Sequence, residues 1–300
     1  MRRALAVLLL VPGLLAVAPA AEAVPTCGGK KATMVFGDGD DEVQGTRGDD
    51  VIVLGGGDDF FTGGRGGSDI VCGGAGDDHL HDADRARGGR DLFDGGPGTD
   101  SLTFAGHGVQ VSVPAGQESG HESDRFRRIE VYHGTSGDDV FAGSSRAETY
   151  VDEGGEDLVD LGGGDDVATV TGSGSLSAGA GDDEIAVSFA AEPSIAAGPG
   201  DDIVQIAASR PSVDGGPGND FVGFWYDGEG VIVDLAAGSV SQATYGDFGA
   251  LAFENVFGTA GDDTIYGTDG PNILQGGEGT DTIDGRGGDD ACAGEVVVNC

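Results

Sequence analysis

Between Gly258 and Ala293, four nine-residue segments, GTAGDDTIY, GTDGPNILQ, GGEGTDTID and GRGGDDACA, follow one another without a gap. Each has the form Gly, x, x, Gly, x, Asp or Asn, x, apolar, x. A period of nine fits neither an amphipathic helix nor a simple alternating strand. A fixed period this short means stacked repeats, and it has to be read before any local structure.

Numbering each unit one to nine gives every position a physical task. Glycines at one, two and four admit positive φ and let the backbone bend so that carbonyl oxygens turn inward. Asp at six puts a short carboxylate into that bend. Position eight is apolar and its neighbours point the other way, which describes a three-residue strand burying one side chain. Carbonyl and carboxylate oxygens clustered without sulfur or imidazole suit a hard cation of the size of Ca²⁺.

These units resemble the hemolysin-type, or RTX, calcium-binding nonapeptide GGxGxDxUx. The resemblance implies a right-handed parallel β-roll in which two nonapeptides make one turn. It also implies Ca²⁺ ions held between loops one turn apart, so that ligands pair at a spacing of 18. Asp263 precedes Asp281 by 18 residues, and Asn272 precedes Asp290 by 18.

From Val35 onward the same register recurs. Position six reads Asp41, Asp50, Asp59, Asp69, Asp78, Asp91 and Asp100 in a first block, with an irregularity around His81 to Gly88. A second block reads Asp139, Glu148, Asp157, Asp166, Asp183, Asp202 and Asp220. The third reads Asp263, Asn272, Asp281 and Asp290. The Asp and Asn residues of this series are the candidate metal ligands. After Asp166 the steps lengthen to 17, 19 and 18, so one edge of the roll is expected to keep its Asp loops while the other loses them. Position eight tests the register independently, and it is apolar in all 18 units from Val43 to Cys292.

Two inserts interrupt the series and resemble each other: VQVSVPAG leading through RRIEVYHG, and VIVDLAAG leading through AFENVFG. Glu130 and Glu254 each stand four residues before the glycine that restarts the repeat, a feature also found in proteins with such repeats. Each insert reads as a wider turn of the same solenoid, with a small separate module as the alternative. The resulting division is a signal peptide at 1–23, an N-terminal cap at 24–35, and repeat blocks at 36–103, 134–222 and 258–293. The inserts occupy 104–133 and 223–257, and a C-terminal cap 294–300.

Asp and Glu number 53 against 15 Lys and Arg, for a net charge of −38. Nucleic acid and acidic membranes would repel such a chain. Acidic chains are often disordered, but here the acids are periodic. Arg2 and Arg3, an apolar run from Ala4 to Val17 and the small-x-small site at Ala21 to Ala23 have the layout of a secretory signal. No later segment is apolar enough to span a membrane. The chain is therefore expected to be secreted, extracellular and soluble. Its cysteines, Cys27, Cys72, Cys292 and Cys300, are even in number, which in an exported protein favours two disulfides. Cys292 with Cys300 and Cys27 with Cys72 are the expected pairs.

Relatives with such repeats usually carry a catalytic domain, yet neither an HExxH zinc motif nor a GxSxG elbow occurs after residue 23. His79 and His81 flank Leu80 and should point outward as solvated side chains, with a surface zinc site as the alternative. His107, His121 and His133 lie in or beside the first insert, near Glu122 and Asp124. Trp225 and Tyr226 form either an exposed glycan-binding surface or an end of the core. The expected molecule is an all-β, right-handed parallel β-roll with two short β inserts that binds calcium ions, folds with them, lacks catalysis, and has a structural or adhesive task outside the cell. An enzyme acting on polysaccharide or protein from the inserts is the alternative reading, and a pore-forming toxin is disfavoured because no amphipathic helix or apolar hairpin follows residue 23.

Overall fold

The computed structural model describes residues 24–63, 66–83, 89–119, 123–188, 192–207, 210–226 and 228–300. Residues 1–23, expected to be a signal peptide, and His121 and Glu122 lie outside the described residues. Among the described residues there is no helix, and so none long and apolar enough to cross a membrane.

Short strands alternate between two parallel sheets. A thirteen-stranded sheet runs from Glu42–Gln44 to Ala291–Ala293. The opposite sheet receives the other strand of each turn, beginning with Met34–Val35 and Val51–Gly56 and ending with Val296–Val298. Position-eight residues stack in register up each sheet: Val43 on Phe61, Phe61 on Leu80 and Leu80 on Leu102 in the first, Ile52 on Val71 and Val71 on Phe93 in the second. All of these belong to one continuous core, which Cys292 joins as its partly buried last member. The chain is thus a parallel β-solenoid. Its sheets are parallel because every strand returns after one full turn, and only a turn of about 18 residues brings the apolar slot back to the same face.

The inserts keep to the solenoid but are not simple wide turns. In the first, Gln110–Ser112 pairs antiparallel with Gln117–Ser119, which pairs antiparallel with Arg125–Arg127. Arg125–Arg127 continues the sheet from Leu92–Asp94, and Gln110–Ser112 passes it on to Val140–Ser144. The second insert repeats this arrangement with Val231–Asp234, Ser239–Gln242 and Gly246–Leu251, between Ser212–Asp214 and Thr264–Tyr266. One sheet therefore advances by three strands at each insert while the other advances by one, Leu102 on Tyr132 and Val222 on Val256. Aromatic rings fill the core here. Phe104, Phe126, Tyr132, Phe141 and Tyr150 touch in sequence, and Phe224, Tyr226 and Tyr245 do so at the second insert.

Both expected disulfides are present, Cys27–Cys72 and Cys292–Cys300. The first pins a hairpin, Thr26–Cys27 with Lys30–Lys31, over Val51 and Ile70 on the outside of the second sheet. At the far end, Val296–Val298 pairs with Thr282–Asp284 as a final strand. Its three valines stay 40–50% exposed.

Candidate metal centres

Every position-six residue but Asp157 sits in the turn immediately before a strand, where the glycines bend the chain; Asp157 is the second residue of the strand Glu156–Gly162. From Asp50 to Asp281 each is buried, and Asp41 and Asp290 at the two ends are half-buried. The 18-residue spacing appears as a hydrogen bond: the backbone N–H of one such residue donates to Oδ1 of the next one a turn later. Along the edge that feeds the thirteen-stranded sheet, Asp41 donates to Asp59, Asp59 to Asp78 and Asp78 to Asp100. Asp166 donates to Asp183, Asp183 to Asp202 and Asp202 to Asp220. On the other edge Asp50 donates to Asp69, Asp69 to Asp91, Asp139 to Asp157 and Asp263 to Asp281. Asn272 donates to Asp290. After Asp157 this second edge has no Asp in the ladder until Asp263, as the lengthened steps predicted.

Glutamate continues the ladder where a strand enters without the usual turn. Glu130 Oε2 accepts from the Asp100 N–H at 3.0 Å, Glu254 Oε2 from Asp220 at 2.9 Å, and Glu295 Oε2 from Asp281 at 2.8 Å. The backbone N–H groups of Glu130 and Glu254 also donate to the carbonyls of Asp100 and Asp220, at 3.0 and 3.2 Å. Asp124 Oδ1 accepts from the Asp91 N–H in the first insert, which gives this residue a structural task.

A second carboxylate row, which the position-six reading missed, runs in the opposite direction. At position five, Asp58 N–H donates to Asp40 Oδ1, Asp77 to Asp58 and Thr99 to Asp77. Asp182, Asp201 and Asn219 repeat this upon Asp165, Asp182 and Asp201. The repeated Asp-Asp dipeptide was the signal for it.

The other carboxylate oxygen divides the turns into two kinds. In the first kind position two is Thr or Ser, and the turn satisfies itself. Thr259 donates its N–H to Asp263 Oδ2 at 2.7 Å and its hydroxyl to Oδ1 at 2.9 Å. Thr135 treats Asp139 in the same way, at 2.6 and 2.8 Å. Thr46 N–H closes on Asp50, Thr268 on Asn272, and Ser144 on Glu148. Asn272 has its oxygen engaged twice and donates its amide to the Glu254 carbonyl at 2.6 Å.

In the second kind position two is usually Gly, and Oδ2 is buried without a hydrogen-bond partner. Asp59, Asp78, Asp100, Asp157, Asp166, Asp183, Asp202, Asp220, Asp281 and Asp290 are of this kind. Their glycines approach the next turn too closely for any side chain. A Cβ on Gly198, whose φ is +121°, would lie 1.9 Å from the Gly179 carbonyl oxygen. Backbone carbonyls and unpartnered carboxylate oxygens are thereby stacked together out of water.

Burying a carboxylate disfavours its charged form, and stacked neighbours add repulsion. Burial pushes Asp78 up to about 7 against the opposing hydrogen bond from Asp59, with the Asp100 charge adding to the rise. Asp166 reaches about 7 and Asp183 about 6 for the same reasons. Asp91, whose neighbours are Asp124 and Asp69, reaches about 8. An unpartnered buried oxygen on a carboxylate held this far up is relieved by a proton or by a cation.

The donor set fits Ca²⁺. Among the described residues no three Asp, Glu, His or Cys side chains converge on one point. A cation in these turns would draw its remaining oxygens from backbone carbonyls, as Ca²⁺ accepts and most other metals do not. Among the described residues the histidines form no comparable cluster. His79 stacks on Phe60 at 5.0 Å, and its ring nitrogens meet Ser101 and Thr103 at 2.7 and 3.2 Å. It is half-buried, where a solvated side chain was expected.

No curated protein matches the sequence. A family model does match, over about a third of the chain, and in the regions where the stacked turns begin and end. By that match the chain carries RTX calcium-binding nonapeptide repeats, in four copies at residues 37–67, 64–80, 85–104 and 257–291.

Proposed function

We propose that this is a secreted, non-enzymatic β-roll whose folding is completed by calcium outside the cell, where it serves a structural or adhesive task. The observation that carries the reading is the set of buried Oδ2 atoms without hydrogen-bond partners on Asp59, Asp78 and Asp100 and on Asp157, Asp166, Asp183, Asp202 and Asp220. In the repeat blocks a turn buries two to about four apolar side chains, as with Leu176, Ala178, Ile185 and Val187, still a thin core for about 18 ordered residues. The stacked carboxylates oppose it further. Ca²⁺ binding in the Gly-Gly turns would remove that opposition and add its own binding free energy to folding. The chain's residues would supply the rest: position six would present one oxygen to the ion while the other accepts the N–H of the preceding turn, and the glycines let carbonyls face inward.

Extracellular calcium modules work near 10⁻⁴ to 10⁻³ M, so a chain of this design would stay loose in a low-calcium cytoplasm and fold after export. The amino-terminal pattern, Arg2, Arg3, an apolar run and a small-x-small site, supports export. Far-ultraviolet circular dichroism of the chain lacking residues 1–23 is the test. In chelator the spectrum should be largely coil and should convert to β on millimolar Ca²⁺, with Mg²⁺ far less effective because it demands tight octahedral geometry. A full β spectrum in chelator would refute the reading.

A further inference from the structure

Where the second insert meets the third repeat block, the outer face of the thirteen-stranded sheet carries a groove of about 710 Å³. Three neighbouring pairings place Gln205 beside Gly223, Gly223 beside Phe257 and Phe257 beside Gln275. These four residues form one straight row across four strands, about 14 Å long at ordinary strand spacing. Amide side chains stand at its two ends. In the middle, Gly223 leaves the floor open and Phe257 offers a ring held by stacking on Phe221, 5.2 Å away.

Trp225 forms the wall. It is the only tryptophan in the chain and is 68% exposed, whereas Tyr226 beside it turns into the core at 5%. Its backbone N–H donates to the Ile206 carbonyl at 2.9 Å, which fixes its place, and its Nε1 lies 3.9 Å from where a Cβ of Gly223 would be. The indole edge therefore overhangs the open floor. An exposed indole anchored in this way, next to a 40% exposed phenylalanine, leaves a large apolar surface unpartnered where the remainder of the sheet presents mixed side chains.

The chemistry of the lining selects the occupant. Among the described residues Glu278 is the one charged side chain on it, and none of Lys, Arg or His lines it. In a chain of net charge −38, such a groove repels phosphate, sulfate and uronate. Two neutral amides can donate and accept around flat aromatic faces. A pyranose has this pair of properties, an apolar C–H face and a rim of hydroxyls, and aromatic surfaces with a few placed polar groups are what such a ligand requires.

We propose that this groove binds a segment of neutral polysaccharide, lying along the row from Gln205 to Gln275 with sugar faces on Phe257 and Trp225. The inference rests on the adhesive part of the proposed function and names its partner class. Because Trp225 is the sole tryptophan, its emission reports this site alone. The calcium-loaded chain is titrated with cellohexaose, maltohexaose, xylohexaose, mannohexaose and chitohexaose, with hexagalacturonate and hexalysine as charged probes. At least one neutral hexasaccharide should shift the emission to the blue in a saturable way. Phe257→Ala and Gln275→Ala should each weaken that binding about tenfold while the calcium-induced dichroism transition stays unchanged. The proposal is overturned if no neutral hexasaccharide moves the emission, or if hexagalacturonate or hexalysine does so in their place. An emission failure with the dichroism transition intact strikes the groove alone, whereas loss of that transition strikes the calcium reading.

Discussion

Two glycine-to-alanine substitutions separate backbone strain from the close stacking of turns. Gly154 and Gly198 both have positive φ, +103° and +121°. Alanine at either position adopts an unfavourable backbone conformation at a cost of about 1–3 kcal/mol. At Gly154 nothing lies within 4 Å of the new Cβ, so that cost should be the whole effect. At Gly198 the Cβ would stand 1.9 Å from the Gly179 carbonyl oxygen, and the turns would have to part by more than an ångström. Overpacking of that kind adds about 1–3 kcal/mol, and it pushes away the carbonyl of Gly179, which lies in the turn leading to Asp183. Gly198→Ala should therefore lose about twice as much stability as Gly154→Ala in denaturant melts at saturating Ca²⁺. It should also raise the calcium midpoint in a dichroism titration, which Gly154→Ala should leave in place. Equal stability losses with equal calcium midpoints would refute the stacking of carbonyls as the reason for glycine at these turns.

Acidification should favour the metal-free fold. The turn carboxylates titrate near 3.8 when unfolded, and burial raises Asp100, Asp183 and Asp220 to about 6, Asp78, Asp157 and Asp166 to about 7, and Asp91 to about 8. Their contribution is fully present below 3.8 and is lost as pH rises through 6 to 8. In chelator, β content by circular dichroism should accordingly be higher at pH 4 than at pH 8, and a flat profile would contradict it. Thr259→Val removes the hydroxyl that donates to Asp263 and accepts from the Gly261 N–H at 3.0 Å. It should cost about 1–3 kcal/mol in denaturant melts without changing the number of calcium ions bound by calorimetry; a lost ion would mean that this turn is not self-satisfied.

The stacking of strands was legible because two independent signals, the Gly/Asp register and the apolar slot, come from one geometric period. Val43 through Ile283 all entered the core where that period put them. The inserts were less legible. VQVSVPAG and VIVDLAAG look like strands, but the direction in which a strand pairs depends on partners 30 residues away, and the antiparallel reversals carry no local mark. The division between Trp225 and Tyr226 could have been made from the chain alone, since neighbouring residues of an extended segment face opposite sides. The difference between satisfied and unsatisfied turns was also present in the letters. It lay at position two, where Thr or Ser is a hydrogen-bonding device that glycine lacks.

The placement of that device carries a physical consequence for how the roll is assembled. Blocks two and three each open, directly after an insert, with two self-satisfied units: Thr135 with Asp139 and Ser144 with Glu148, then Thr259 with Asp263 and Thr268 with Asn272. Two units make one turn, so each block begins on a turn whose own hydroxyls and amides do what a cation does farther along. The same turns are tied backward to the preceding insert, since Val109 N–H donates to Asp139 Oδ1 and Val231 N–H to Asp263 Oδ1, both at 2.7 Å. In a solenoid each turn contacts only its neighbours, and the first turn formed has no template. On the proposed function, aromatic packing at the insert and a metal-independent opening turn would give the chain such a template before calcium arrives. The turns from Asp157 to Asp220, with their unpartnered oxygens, would then add one after another, each needing only an ion and the edge already in place.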